Sequence, residues 1–157
     1  MRYSDSYLFS HDIDWFCMFY GLPIHVASAG GRIPDEINDV DKLRSLQHQV
    51  EMLPLVFEED DIVYNEFGIG QVLGNALEAG REDYIRSFAR MAQKGFFSFD
   101  RINYGNPIEE DQLLLVCFPH QIIRGFDGIE IPVINNKSSL SKAFKSALPQ
   151  LYQVGWQ

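Results

Sequence analysis

The sequence contains neither the long apolar runs of membrane proteins nor a complete catalytic motif. No window approaches the roughly 20 apolar residues that a membrane-spanning helix needs, and the first six residues lack the basic start and apolar stretch of a signal peptide. A nucleophile elbow, a phosphate-binding loop with its lysine, a zinc-protease helix and paired metal-binding cysteines are missing. We therefore expect a cytoplasmic protein that does not bind membranes, and the sequence favours no enzyme class.

Cysteine is scarce, with only Cys17 and Cys117 in the chain. Both lie inside apolar runs, which predicts two buried thiols in a reducing compartment. His120 follows Cys117 closely, and a thiol near an imidazole can act as a nucleophile. An apolar strand disfavours the thiolate, however, so we expect Cys117 to pack in the core.

Basic residues are also few: 13 Lys and Arg face 22 Asp and Glu, for a net charge of −9. All the acids precede residue 131, and beyond it the only charges are Lys137, Lys142 and Lys145. An acidic field repels a phosphate backbone. We therefore expect no nucleic-acid partner, and the three lysines form at most a minor docking surface.

The chain has enough apolar material for one core. Of its 157 residues 46% are hydrophobic and 13% aromatic, which suits a single folded domain over residues 1–157. No repeat, low-complexity segment or linker divides it. The oligomeric state cannot be read from the sequence.

A β-hairpin near the start is the clearest local signal. Residues 13–19 and 23–28 are β-rich, and we place the turn at Gly21-Leu22. Alternation predicts an inward, wholly apolar face and a second, mixed face. The apolar face holds Ile13, Trp15, Cys17, Phe19, Ile24 and Val26; the mixed face holds Asp12, Asp14, Phe16, Met18, Tyr20, His25 and Ala27. The apolar part of the mixed face is predicted either to form a dimer surface or to lie under a helix.

The remaining predicted strands and helices occur in runs of one kind, not in strict alternation. Strands are predicted at 55–57, 62–64, 96–102, 112–118 and 129–134. Helices are predicted from the cap at Asn38 or Asp39 until just before Pro54, at 70–79, at 82–94 and after Ser138. Gly80 is expected to separate the central helices and Gly95 to cap the second. The fold class expected is α+β, with a mostly antiparallel sheet, the N-terminal hairpin, central helices, a C-terminal helix and a single layer of helices on the sheet.

A glycine pattern, Gly68-x-Gly70-x-x-x-Gly74, follows one predicted strand and opens a predicted helix. Glycines in that position let a backbone approach a dinucleotide pyrophosphate. The acid expected about 20 residues later is missing, because Asp100 comes too late. We therefore expect a flexible entry to the helix and close helix packing, and we predict no cofactor.

One constellation could hold a metal ion. On the hairpin, Asp12, Asp14 and His25 share a face, and two carboxylates plus an imidazole can bind a divalent cation or pair a base with an orienting acid. A one-residue slip would move His25 to the opposite face. The alternative is an ordinary ion pair or hydrogen bond at a solvated strand end, which we favour.

The aromatic strand from Phe96 to Arg101 resembles a base-stacking platform in its alternation of Phe97, Phe99 and Arg101. The acidic surroundings oppose that use. We expect a core strand that ends in an exposed charge pair, Asp100-Arg101.

Acidic residues cluster at 35–41, 58–61 and 109–111, without the spacing of a calcium loop. Such clusters solubilise loops or attract basic proteins. Our leading hypothesis is a non-catalytic protein-interaction or ligand-binding module with an acidic surface and a basic protein partner, of which an inhibitor or immunity protein is one version. The alternatives are a small metal-assisted hydrolase that uses Asp12, Asp14 and His25, and a binder of small molecules in an aromatic pocket.

Overall fold

The computed structural model describes residues 1–102 and 112–134, in which the apolar patterns of the sequence form one five-stranded sheet and four α-helices. The helices are α1 (Asp5–Ser10), α2 (Val40–Glu51), α3 (Glu66–Leu73) and α4 (Leu77–Lys94). The strands are β1 (Asp14–Phe19), β2 (Leu22–Ala27), β3 (Ile62–Tyr64), β4 (Phe97–Arg101) and β5 (Leu113–Pro119).

The sheet is mixed, in the order β1-β2-β4-β5-β3. Three of its four pairings are antiparallel, and β2 pairs with β4 in parallel. A parallel pair needs a long crossover, and here α2, β3, α3 and α4 intervene in sequence. The α+β class with a mostly antiparallel sheet is thus confirmed.

The hairpin differs from expectation at its turn. The two connecting residues are Tyr20 and Gly21, both with positive φ (49° and 77°), rather than Gly21-Leu22. Two successive positive φ values are typical of the tight turn whose twist matches paired strands. The error displaces the pairing by two residues, so every side chain keeps its predicted face: Trp15 pairs with Val26, and Phe16 with His25.

The two faces of the sheet build separate parts of the core. The face of Trp15, Cys17, Phe97 and Phe99 packs against Leu8 of α1 and residues of the segment that precedes α2. The opposite face packs against the two longest helices, against α4 through Ile85, Phe88 and Ala92 and against α2 through Leu46 and Val50. Phe16 therefore lies under α2, which covers this part of the hairpin.

The break between the central helices lies at Gly74, not at Gly80 as expected. Gly74 has φ +53°, which ends α3, whereas Gly80 continues inside α4. A glycine within a helix costs about 1 kcal/mol relative to alanine, and the packing of α4 on the sheet outweighs that cost. Gly95, at φ +116°, caps α4 as predicted.

Two predicted strands are wrong. Residues 55–57 form no strand, although Val56 and Phe57 both donate their N–H groups to Gln93 O. Residues 129–134 contribute only isolated bridges, one of which joins Val133 to Met18 on the outer side of β1. The C-terminal helix predicted after Ser138 lies outside the described residues. Over the described ranges, no helix is long and apolar enough to cross a membrane.

Candidate functional site

The structure brings two of the three predicted metal ligands together. His25 is 1% exposed, and its Nε2 lies 2.9 Å from Asp14 Oδ1. Its Nδ1 lies 2.6 Å from the hydroxyl of Ser98, which the parallel register of β2 and β4 places directly opposite His25. Asp14, His25 and Ser98 therefore form a hydrogen-bonded chain that leads from a fully buried hydroxyl to a carboxylate with 51% of its side chain exposed.

Asp12 does not join this chain. Its Oδ1 accepts the backbone N–H of Ala29 at 2.9 Å, which closes the open end of the hairpin. Both nitrogens of His25 are already hydrogen-bonded, so a metal ion would have to displace Asp14 or Ser98 from the ring. Within residues 1–102 and 112–134 no group of three His, Cys, Asp or Glu side chains is arranged to hold a metal ion.

The sequence did not lead us to predict helix α1 or the stack of rings in and beside it. Tyr3, Tyr7 and His11 are spaced by four residues and stack in a column, with ring centroids 4.8 Å and 3.8 Å apart and planes within 12° of parallel. The column is tied to the segment before α2, because Asn38 bonds both the N–H and the carbonyl of Tyr3. The signal that could have found α1 is its cap, Ser4, which accepts from Tyr7 N.

This column forms one wall of a cavity of about 460 Å³, which we call the tyrosine cleft. The start of β1, the side of α2 and the end of α4 supply the other walls. It is lined by Tyr3, Tyr7, His11, Asp12, Ile13, Asp14, Phe16, Arg44, Gln47, Glu51, Arg90, Met91 and Lys94. Three carboxylates and three cations are among these residues, so the formal charges of the lining cancel.

Two cations of the cleft have identifiable partners. A side-chain hydrogen bond to Tyr3 raises the pKa of Arg44, and Tyr7 acts in the same direction. Lys94 is 2% exposed, and its Nζ donates to the carbonyls of Val50 and Glu51, which end α2. Burial lowers the pKa of Lys94, nearby Arg90 lowers it further, and Glu51 partly offsets both.

A second concave surface, the acidic groove, has a volume of about 710 Å³. It runs between the segment before α2, the other side of α2 and residues 130–132. Its carboxylates are Asp35, Glu36, Asp39, Asp41 and Glu130, and its apolar floor includes Phe16, Ile37, Leu43, Leu46 and Pro132. Among the described residues that line it, Lys42 is the one cation. The first of the predicted acidic clusters is therefore gathered around a groove.

The other two acidic clusters differ. Residues 58–61 form a capped turn of 3₁₀ helix, in which Asp61 accepts from Glu58 N, and Glu58, Glu59 and Asp60 are exposed. This is the solvated loop expected of such a cluster. Residues 109–111 lie outside the described part of the chain.

Gly68 serves packing, as expected, but the predicted flexible entry is wrong, because Gly68 and Gly70 lie inside α3. A Cβ at Gly68 would lie 2.4 Å from Leu114 Cδ1 and 2.7 Å from Asn65 Nδ2, so both side chains would have to shift to admit it. The preceding strand β3 pairs antiparallel with β5, unlike the parallel unit that carries a dinucleotide fingerprint. The dinucleotide interpretation thus has no structural support.

Both thiols are buried and unpaired, as predicted. Burial raises the pKa of Cys17 and of Cys117 far above the ordinary value, which keeps them as thiols. His120 is exposed and its ring contacts Asp61 O. Neither sulfur is accessible at the surface.

The aromatic strand is a core strand, but its last two residues are buried rather than exposed. Asp100 and Arg101 are 5% and 2% exposed. The hydroxyl of Tyr84 on α4 donates to Asp100 at 2.7 Å, and Gly31 leaves room for the stem of Arg101, whose Cδ lies 2.3 Å from where a Cβ would be. The prediction of an exposed charge pair was wrong because these long-range partners cannot be read locally.

Comparison of the chain with family models, with curated proteins and with solved structures finds no match in any of the three.

Proposed function

We propose that the protein is a non-catalytic binding module of the cytoplasm that captures a basic protein partner in its acidic groove. The observation that carries the proposal is the convergence of five carboxylates from three chain segments around one groove with a single lysine. A negative groove accelerates the encounter with a positive partner and disfavours acidic competitors.

The lining of the groove suits lysine and arginine side chains in particular. Such side chains combine a charged end with an apolar stem, and the groove pairs a carboxylate rim with an apolar floor. Asp35 is bonded to Arg2 at 2.7 Å, but both side chains are mostly exposed. An exposed ion pair contributes little, so an incoming basic group can replace Arg2 at small cost.

The catalytic alternative has weaker support. A hydrolase built on Asp12, Asp14 and His25 needs all three around one ion, and Asp12 instead bonds Ala29. The proposed binding function does not require chemistry at His25, whose chain to Ser98 orients a carboxylate. Thermal unfolding with and without saturating divalent metals separates the two proposals, because a metal that binds the folded state raises the melting temperature.

The direct test is affinity capture with a groove variant and a matched control. The groove variant D35N/E36Q/D41N/E130Q removes four carboxylates, and it spares Asp39 because that residue caps α2. The control E59Q/D60N/E78Q/D83N removes the same charge from exposed sites outside the groove. We expect the wild type and the control to capture the same basic protein, and the groove variant to lose it.

The affinity of the purified partner then gives the second readout. Binding should weaken as salt rises from about 50 to 300 mM, because ions screen exposed charges within about 10 Å at 0.1 M. An acidic partner, binding that is insensitive to salt, or equal losses in the two variants would contradict the proposal.

A further inference from the structure

The tyrosine cleft lies outside the acidic groove and carries charges of both signs. Its net formal charge is zero, whereas the molecule as a whole is strongly acidic. Its volume of about 460 Å³ lies in the range of small-molecule sites. A ligand with charges of both signs complements it better than a simple amine or a simple anion.

One charged group of the cleft is the carboxylate of Asp14, whose position is fixed by two sets of hydrogen bonds. Gln47 donates its side-chain N–H to Asp14 O at 2.7 Å, which holds the backbone against α2. His25 holds Asp14 Oδ1, and Ser98 holds the opposite side of the His25 ring. Asp14 lines the cleft and about half of its side chain is exposed, so the carboxylate is positioned without being closed off.

A second charged group is the guanidinium of Arg44. Arg44 lines the cleft together with Tyr3 and Tyr7, and hydrogen bonding to these tyrosines raises the pKa of Arg44, which keeps the guanidinium charged. A guanidinium presents five N–H donors, so hydroxyl partners leave donors for a carboxylate ligand. The stacked tyrosine rings extend beside it as an apolar wall.

We propose that the tyrosine cleft is a binding site for a small zwitterion of the α-amino acid class. The ammonium group of the ligand bonds Asp14, its carboxylate bonds Arg44, and its side chain packs against Tyr3 and Tyr7. The hydrogen bonds that hold Asp14 exist before binding, which lowers the entropy that is lost when a ligand binds. The site is independent of the groove and of its basic partner.

The test uses the whole chain and the twenty free α-amino acids, each at millimolar concentration, in thermal unfolding followed by calorimetric titration. At least one amino acid should raise the melting temperature and bind with a Kd between about 10 µM and 1 mM, the range of a small ligand held by two charged contacts. The matching amine without the carboxylate and the matching acid without the amine should each bind at least tenfold more weakly.

Three variants assign the contacts. D14N and R44Q should each weaken binding of that amino acid at least tenfold, whereas D41N, on the groove side of α2, should leave it unchanged. Unfolding curves of each variant without ligand show whether it folds; if R44Q does not, the amine and acid analogues still decide. The proposal is overturned if no amino acid binds below about 10 mM, if the single-charge analogues bind equally well, or if D14N and R44Q have no effect.

Discussion

Helix α2 separates two surfaces that differ in charge although they share the ring of Phe16. Its side at Arg44, Gln47 and Glu51 faces the tyrosine cleft, and its side at Lys42, Ser45 and Gln49 faces the acidic groove. The charges of the cleft lining balance, and hydrogen bonds hold Asp14 and Lys94. The charges of the groove are mostly negative; the half-buried Asp39 caps α2, and Asp35 forms an exposed ion pair.

Helix α2 presents three faces: one to the core, one to the tyrosine cleft and one to the acidic groove. Leu43, Leu46 and Val50 recur at spacings of three and four and are buried, and the two flanking stripes repeat the same spacing one residue before and after. Charges of both signs around one cavity suit a small ligand that carries both signs. Carboxylates around an open groove suit a partner whose attraction is long-range.

The substitution with the largest expected effect on stability removes the ring of Phe16, which both surfaces share. Phe16 is 1% exposed and packs on Phe96, with ring centroids 5.2 Å apart, beneath α2. F16A should lower the free energy of unfolding by about 3–5 kcal/mol, the usual cost of truncating a buried Phe. Denaturant unfolding measures this. A loss below about 1 kcal/mol would show that α2 does not depend on this ring.

The control for F16A is F67A. Phe67 lies on α3 and is 71% exposed, so its truncation removes little buried area. We expect its unfolding midpoint to stay close to that of the wild type. Both surfaces should lose affinity in F16A and neither in F67A.

The fold was predictable wherever a local period decides the structure. The faces of the hairpin were correct despite the misplaced turn, because side chains repeat every two residues and the error was a shift of two. Helix α2 followed from its apolar stripe and its Asp39 cap. The break at Gly74 was missed because both Gly74 and Gly80 look like helix ends in sequence, and only packing on the sheet keeps Gly80 helical.

The candidate sites were predictable only in part, for a related reason. Asp14 and His25 could be placed on one face of a hairpin because 11 residues separate them. Ser98 lies 73 residues from His25 and arrives through a parallel pairing that no local pattern reveals. To predict the Arg44 side of the cleft one must first predict α1. Its six residues are too few to show a helical period of apolar residues.

A substitution of intermediate expected effect, at Ser98, lies at the buried end of the hydrogen-bonded chain from Asp14. It should distinguish the tyrosine cleft from the acidic groove. S98A leaves Nδ1 of His25 without its 2.6 Å partner in a buried site, which should cost about 1–3 kcal/mol. The double variant H25F/S98A replaces both polar groups next to Phe16 and Phe88 by apolar ones. Its loss in free energy of unfolding should be smaller than the sum of the losses measured for S98A and for H25F.

Chemical denaturation of the four proteins gives the coupling directly. H25F should also lower the affinity of the tyrosine cleft for its ligand, because Asp14 loses its hydrogen bond to His25. The affinity of the groove for a basic partner should not change. Strict additivity of the two single variants would mean that the hydrogen bond between His25 and Ser98 does not contribute as described.

The smallest expected effect is a pH-dependent one at the rim of the groove. Asp39 accepts the N–H of Lys42 as the cap of α2, and this hydrogen bond is the main reason why the pKa of its carboxyl lies below the ordinary value. A carboxyl with a lowered pKa stabilises the fold above its unfolded pKa, about 3.9. That contribution disappears as the pH falls through the lower, folded pKa.

D39A should therefore melt below the wild type at pH 6–7, with a gap that narrows on acidification toward about pH 3. D39N keeps a capping oxygen without the charge, so its melting temperature should lie between the two at neutral pH. D41A alters the same first turn away from the cap and is the matched control, with a smaller gap that reflects the helix dipole alone. Circular dichroism melts across this pH series measure all three, and a D39A gap that stays constant with pH would show that the charge of Asp39 does not stabilise α2.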